Sequence, residues 1–177
     1  LLFPFPKKFI DNQVTTIGYE NEVIFPVKVK KDFLEKIDNE VELNYLICKD
    51  VCLPINEIKP VKLNFDNIVS SSEFNNYFHR VPQSNVNFFN LSLSKVFNDS
   101  IEVQIIEDIE EANIQHSIFA FSKEANLTID RNFTNSNTFT INFDEKIKNI
   151  KHPILISVSN GEKFEEIQLI ITNKNNN

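Results

Sequence analysis

The chain has 177 residues, room for one large domain or two small ones. Hydrophobic residues make up 41% and charged residues 24%; no window approaches the roughly 18 uncharged apolar residues of a membrane-spanning helix. The net charge of -7 argues against nucleic acid or an anionic membrane as partner, because both require a basic face.

Methionine is absent, so the chain is expected to be a processed product or a fragment. Its first residues show no basic n-region followed by an apolar h-region. Asn and Ile are abundant, while Gly occurs only at Gly18 and Gly161. This bias is what an AT-rich genome produces. Asn must then supply many turns, because it tolerates positive φ best after Gly.

In chain order the pattern is alternation and short β-branched runs, not helical periodicity. Strands are predicted at 22–29, 41–47 and 58–65, with Pro26 and Pro60 marking edges or bulges. Residues 30–39 read as a loop or short turn. Ser70 and Glu73 have capping-box spacing, which predicts a helix of about two turns stopped before Pro82. Further strands are predicted at 86–93, 101–107, 117–121, 126–129, 138–143, 153–159 and 164–172. Short strands separated by polar turns mean antiparallel sandwiches. The predicted organisation is a first unit over 1–66, a helical linker over 67–84 and a second β-sandwich over 85–177. The acidic excess is larger after residue 84, and Glu107, Asp108, Glu110 and Glu111 read as a solvated loop. Their spacing lacks the Gly and terminal Glu of a calcium loop. The tail 173–177 reads as frayed.

Chemistry concentrates at Cys48 and Cys52, four apart in a chain with two cysteines. Three readings fit the residues. The pair can be buried apolar filler. It can be half of a metal site with two of His79, His116 and His152, although these lack the paired spacing of structural zinc. Or it can be a reversible dithiol/disulfide. A bridge needs Cα atoms about 4.4–6.8 Å apart, whereas residues four apart in a strand lie about 13 Å apart. The chain would therefore have to fold back between the two. Small bridged loops gain little stability, and labile bridges are the exchanging ones. Nothing nearby strongly activates a thiol: Lys49 favours the thiolate and Asp50 opposes it.

Several motifs in order add a resemblance. Pro4 and Pro6 are followed by Gly18-Tyr19-Glu20, then Pro26-Val27, then Tyr45-Leu46, Cys48, Cys52 and Pro54. Residues 3–65 resemble the N-terminal periplasmic domain of the DsbD thiol:disulfide interchange family, in its ScsB-like branch, and Phe74, Val81 and Pro82 resemble the family's helix and exit. The resemblance implies an all-β fold: an immunoglobulin-like antiparallel β-sandwich, incomplete at its N-terminus, followed by a second β-sandwich unit with one short helix at the seam. It implies that Cys48 and Cys52 are the catalytic pair, with Cys52 the interchange thiol and Cys48 the resolving one. No cofactor or metal is implied. The implied partners are periplasmic thioredoxin-fold proteins, of the disulfide isomerase or cytochrome c maturation type, together with thioredoxin-like and membrane domains of a parent protein. The implied location is the bacterial periplasm, as the soluble part of an inner-membrane protein.

The family's aromatic cap with acidic neighbours aligns loosely with Phe9 and Asp11. Tyr19 and Tyr45 are candidates for packing beside the redox loop, and Pro54 for shaping it; a core phenylalanine and a surface Asp explain Phe9 and Asp11 at least as simply, and ordinary core or cross-strand packing is the simpler reading of the two tyrosines. Two other functions stay open. One is a non-catalytic binding module whose cysteines only staple a loop. The other is soft-metal binding, disfavoured by the lack of Met and of an adjacent His.

Overall fold

A computed structural model describes residues 1–11, 14–29, 40–49, 51–60, 70–106, 116–131 and 137–171. The predicted loop at 30–39, the acidic run at 107–111 and the C-terminal tail lie outside those residues. Within them the chain is mostly β, with one short helix and a single 3-10 turn at Ile147–Asn149.

After the seam, two four-stranded sheets face each other. One has the order β6 (Asn90–Val96), β7 (Ser100–Ile106), β10 (Thr138–Phe143), β9 (Leu127–Arg131). The other has the order β5 (Gln83–Ser84), β12 (Phe164–Leu169), β11 (Ile154–Ser159), β8 (Ser117–Phe121). All pairs are antiparallel except the short parallel match of β12 with β5. Alternation builds the core. Ile101, Val103 and Ile105 of β7 turn inward, as do Ile154, Ile156 and Val158 of β11. They meet Phe139, Ile141 and Phe143 of β10, giving two apolar sheet faces in contact.

Before the seam the described strands form two antiparallel hairpins. β1 (Lys7–Asp11) pairs with β2 (Val14–Gly18). β3 (Glu40–Cys48) pairs with β4 (Cys52–Pro60) along nine matched positions. Helix α1 (Ser71–Phe78) occupies the seam. The Phe74 N–H donates to the Ser70 carbonyl at 3.0 Å, closing the first turn.

The N-terminal segment is anchored into the second unit. Phe5 is buried against Phe119 and Phe164, with ring centroids 5.0 and 5.4 Å away. Its N–H donates to the Arg80 carbonyl at 2.6 Å, and Arg80 Nη2 donates back to the Phe5 carbonyl at 2.9 Å. One residue thus ties the first segment to the seam and to strands β8 and β12 of one sheet.

Several predicted boundaries move. Residues 22–29 form no strand. Asn21 takes φ 61° just before them; Pro26 offers no donor, and its carbonyl instead accepts from the Leu2 N–H at 2.7 Å. β4 starts at Cys52 rather than at 58, because the ladder with β3 begins at the turn. β6 starts at Asn90, since Asn85 and Asn87 hold positive φ. The buried Glu165 carboxylate fixes that bend by accepting from the N–H groups of Asn87 and Phe89 at 3.0 and 2.9 Å.

Candidate functional site

The alternation EVELNYLIC of β3 specifies an extended strand, and a three-residue connection, 49–51, turns it back. Such a connection sets the register of a hairpin. The result places Cys48 directly opposite Cys52. Their Sγ atoms are bonded at 2.01 Å, with Cα atoms 4.0 Å apart. That spacing is near the ~4.5 Å of a non-hydrogen-bonded antiparallel pair, well short of the ~5.5 Å of a hydrogen-bonded one. Both cysteines are exposed at the tip of the hairpin, so the buried-filler reading falls.

Register also sorts the side chains into two faces. On the disulfide's face the next pair is Leu46 with Pro54, and Leu46 is 63% exposed. Beyond it Asn56 Nδ2 donates to Asn44 Oδ1 at 2.5 Å, and Asn44 Nδ2 donates to Glu42 at 3.2 Å. The opposite face carries Val41, Leu43, Tyr45, Ile47, Leu53 and Ile55, a mainly apolar stripe. Tyr45 is there, not beside the disulfide. Its hydroxyl donates to Glu57 at 2.9 Å, and Lys59 pairs with the same carboxylate at 2.8 Å. The Lys59 and Tyr45 hydrogen bonds pull the Glu57 carboxyl below its usual range. The Glu57 bond in turn raises the Tyr45 phenol and the Lys59 ammonium.

The other predicted residues sit elsewhere. Tyr19 belongs to the N-terminal node: its hydroxyl donates to the Pro4 carbonyl at 2.7 Å, and its ring meets Phe25 edge-on at 5.3 Å. Burial raises its phenol, against a smaller lowering by Arg80. The Pro-x-Pro and Gly-Tyr-Glu motifs thus converge on one another, with Lys7 and Glu20 paired at 2.9 Å. A cleft of about 330 Å³ between this node and α1 takes no lining residue from β3 or β4. Phe9 and Asp11 lie on β1, opposite Thr16 and Val14. Among the described residues β1 pairs only with β2, and no strand pairing joins that hairpin to β3–β4.

The histidines are engaged away from the cysteines. His79 stacks edge-on against Phe164, His116 contacts Phe89 and Asn137, and His152 pairs with Glu124. Among the described residues no group of three or more His, Cys, Asp or Glu side chains gathers at metal-binding distance. Missed from sequence were the Leu46–Pro54 pair beside the disulfide and the Tyr45–Glu57–Lys59 cluster. The signal was present, since a bond between 48 and 52 fixes every opposed pair below it.

Residues 1–60 match the family model described as "Thiol:disulfide interchange protein DsbD, N-terminal". That segment is similar to the DsbD N-terminal family. The matched region holds both hairpins and both cysteines. No curated protein matches the chain. Among solved structures, the chain is similar to the N-terminal periplasmic domain of ScsB from Proteus mirabilis. The match has a TM-score of 0.61 at 15% identity and covers 94% of this chain and 70% of that one. At that identity the likeness speaks for the fold, and it extends beyond the DsbD-matched segment into the second sandwich. No helix among the described residues is long and apolar enough to cross a membrane.

Proposed function

We propose that the chain is a periplasmic thiol–disulfide exchange module, one domain of a larger protein-disulfide reductase. The observation that carries this reading is the exposed Cys48–Cys52 bridge at the tip of a hairpin, inside a DsbD-like segment. A bridge closing so short a loop does little for stability, and its exposure admits an attacking thiolate. Electrons arrive from the thioredoxin-like and membrane domains of a parent protein. They leave to thioredoxin-fold partners of the disulfide isomerase or cytochrome c maturation type. Cys52 is the interchange thiol and Cys48 resolves the mixed disulfide. The redox unit spans 1–66 and the linker 67–84, whose last two residues pair as β5 with the second sandwich (85–177), and Phe5 spans the boundary.

The experiment is trapping by single mutants, read on non-reducing gels. Cys48→Ser should accumulate a mixed disulfide with a thioredoxin-fold protein, because nothing remains to resolve it. Cys52→Ser should trap little. Equal trapping by both would remove the role assignment; none by either would favour a stapled binding module.

A further inference from the structure

The phase of the β3–β4 ladder distinguishes its two edges. Even-numbered pairs include Pro54 and Pro60, which have no N–H to give a ladder. The Lys49 N–H donates to the Val51 carbonyl at 3.4 Å, an odd-numbered pair at the tip. Ladder bonds therefore run through the odd-numbered pairs, and the short Cα separation of the cysteine pair agrees. Backbone groups of the even-numbered residues point away from the partner strand. On the outer edge of β3 these are Glu40, Glu42, Asn44, Leu46 and Cys48, every one with a donor. On the outer edge of β4 they are Cys52, Pro54, Asn56, Ile58 and Pro60, and the donor series is broken immediately beside Cys52. Among the described residues no further strand pairs with either edge.

The S–S bond crosses the hairpin from one strand to the other. A thiolate attacks a disulfide in line with the bond that breaks, and which sulfur is attacked depends on access. Attack on Cys48 comes over the β3 edge; attack on Cys52 comes over the β4 edge. An uninterrupted edge invites strand addition along its length, whereas proline prevents it.

We propose that Pro54 is a positioning residue for exchange: it keeps the β4 edge from strand pairing, so that a thioredoxin-fold dithiol reaches Cys52 over that edge and leaves after transfer. This rests on the exchange reading above. The partner's thiolate bonds to Cys52 Sγ as the Cys48–Cys52 bond breaks, and Cys48 leaves as a thiolate that takes up a proton. The partner's second thiol then loses its proton and attacks its own mixed-disulfide sulfur, releasing Cys52 as a thiolate that is protonated in turn. Two electrons pass; the partner dithiol is oxidised and the hairpin disulfide reduced. The outward backbone groups beside the reacting sulfur are the N–H and carbonyl of Cys52 and the lone carbonyl of Pro54, one donor only, which suits a complex that must dissociate.

The test uses reduced thioredoxin as probe, in stopped-flow, with reduced glutathione as a small thiol for comparison. This chain has no Trp, so tryptophan fluorescence reports the thioredoxin alone. Pro54→Val restores one outward N–H. It should lower the half-saturating thioredoxin concentration and slow product release, each about fivefold, the equivalent of one added backbone hydrogen bond, while the glutathione rate stays within about twofold. Leu46→Pro removes an outward donor from β3 and should change neither reaction. The proposal is overturned if Pro54→Val leaves the thioredoxin reaction unchanged, or alters both reactions by the same factor. It is equally overturned if Leu46→Pro slows thioredoxin alone, which would place the partner on β3. A wild-type disulfide inert to thioredoxin but reduced by glutathione would instead overturn the exchange reading itself.

Discussion

Cys48 stands directly opposite Cys52 in the β3–β4 ladder, with 4.0 Å between their Cα atoms and both side chains exposed. The bridge therefore joins two strands already held together by the ladder below it. Reduction should leave the hairpin paired. Amide exchange of the odd-numbered residues 43–47 and 53–57 should stay within about threefold on reduction, since a three-residue loop closes with little entropic cost. Loss of protection along the whole ladder would mean that the bridge is a structural staple.

Phe5 is the side chain through which the DsbD-like segment enters the second unit, packed on Phe119 and Phe164. Phe5→Ala should destabilise the chain by about 3 kcal/mol, the usual scale for emptying a buried aromatic site. Phe5→Leu should cost much less. Urea unfolding of the two variants checks this, and equal midpoints would contradict it.

Glu165 is a buried carboxylate that accepts two backbone N–H bonds from the bend before β6. Glu165→Gln keeps one acceptor and should cost about 1–2 kcal/mol; Glu165→Ala leaves both donors without an acceptor and should cost about 3 kcal/mol. Thermal melts of both variants read the difference.

The pH dependence at the hairpin has a definite sign. The Glu57 carboxyl is lowered from 4.5 by its hydrogen bonds to Lys59 and Tyr45. A carboxyl depressed in the fold contributes stability above its unfolded value, and that contribution fades as pH falls through the folded one. The pair is solvent-exposed, so the effect on stability is small. The direct readout is the carboxyl titration by NMR. Lys59→Met should move the Glu57 midpoint upward, and Tyr45→Phe should do so by less. An unchanged midpoint in Lys59→Met would contradict the assigned cause.

The sequence made some of this legible and hid the rest for physical reasons. The runs at 117–121 and 138–143 coincide with β8 and β10: β10 alternates because one face is buried, while β8 is apolar throughout its middle because Ile118 and Ala120 face the core and Phe119 packs on Phe5 from the other side. The fold-back between the cysteines followed from distance only on the reading that the two are bridged. The run at 22–29 alternates equally well, yet Pro26 leaves it short of donors and it lies along the N-terminal segment instead. β1 and β2 were missed because KKFID and VTTIG are short and the residues between them carry no Gly. Tyr19 and Tyr45 could not be placed by spacing: one turns to Pro4, the other to the face behind the disulfide. The pairing of Leu46 with Pro54 needed only the register that the bridge implies.

Exchange is read most directly by incubating the oxidised chain with reduced thioredoxin, quenching in acid, separating the two proteins and titrating the free thiols of the chain alone. Two thiols per chain, Cys48 and Cys52, are expected, at a rate far above that with an equal concentration of glutathione, with re-oxidation when oxidised partner is supplied in excess. A bridge that thioredoxin reduces no faster than glutathione does would contradict the exchange reading, and would make Cys48–Cys52 a staple on a binding module.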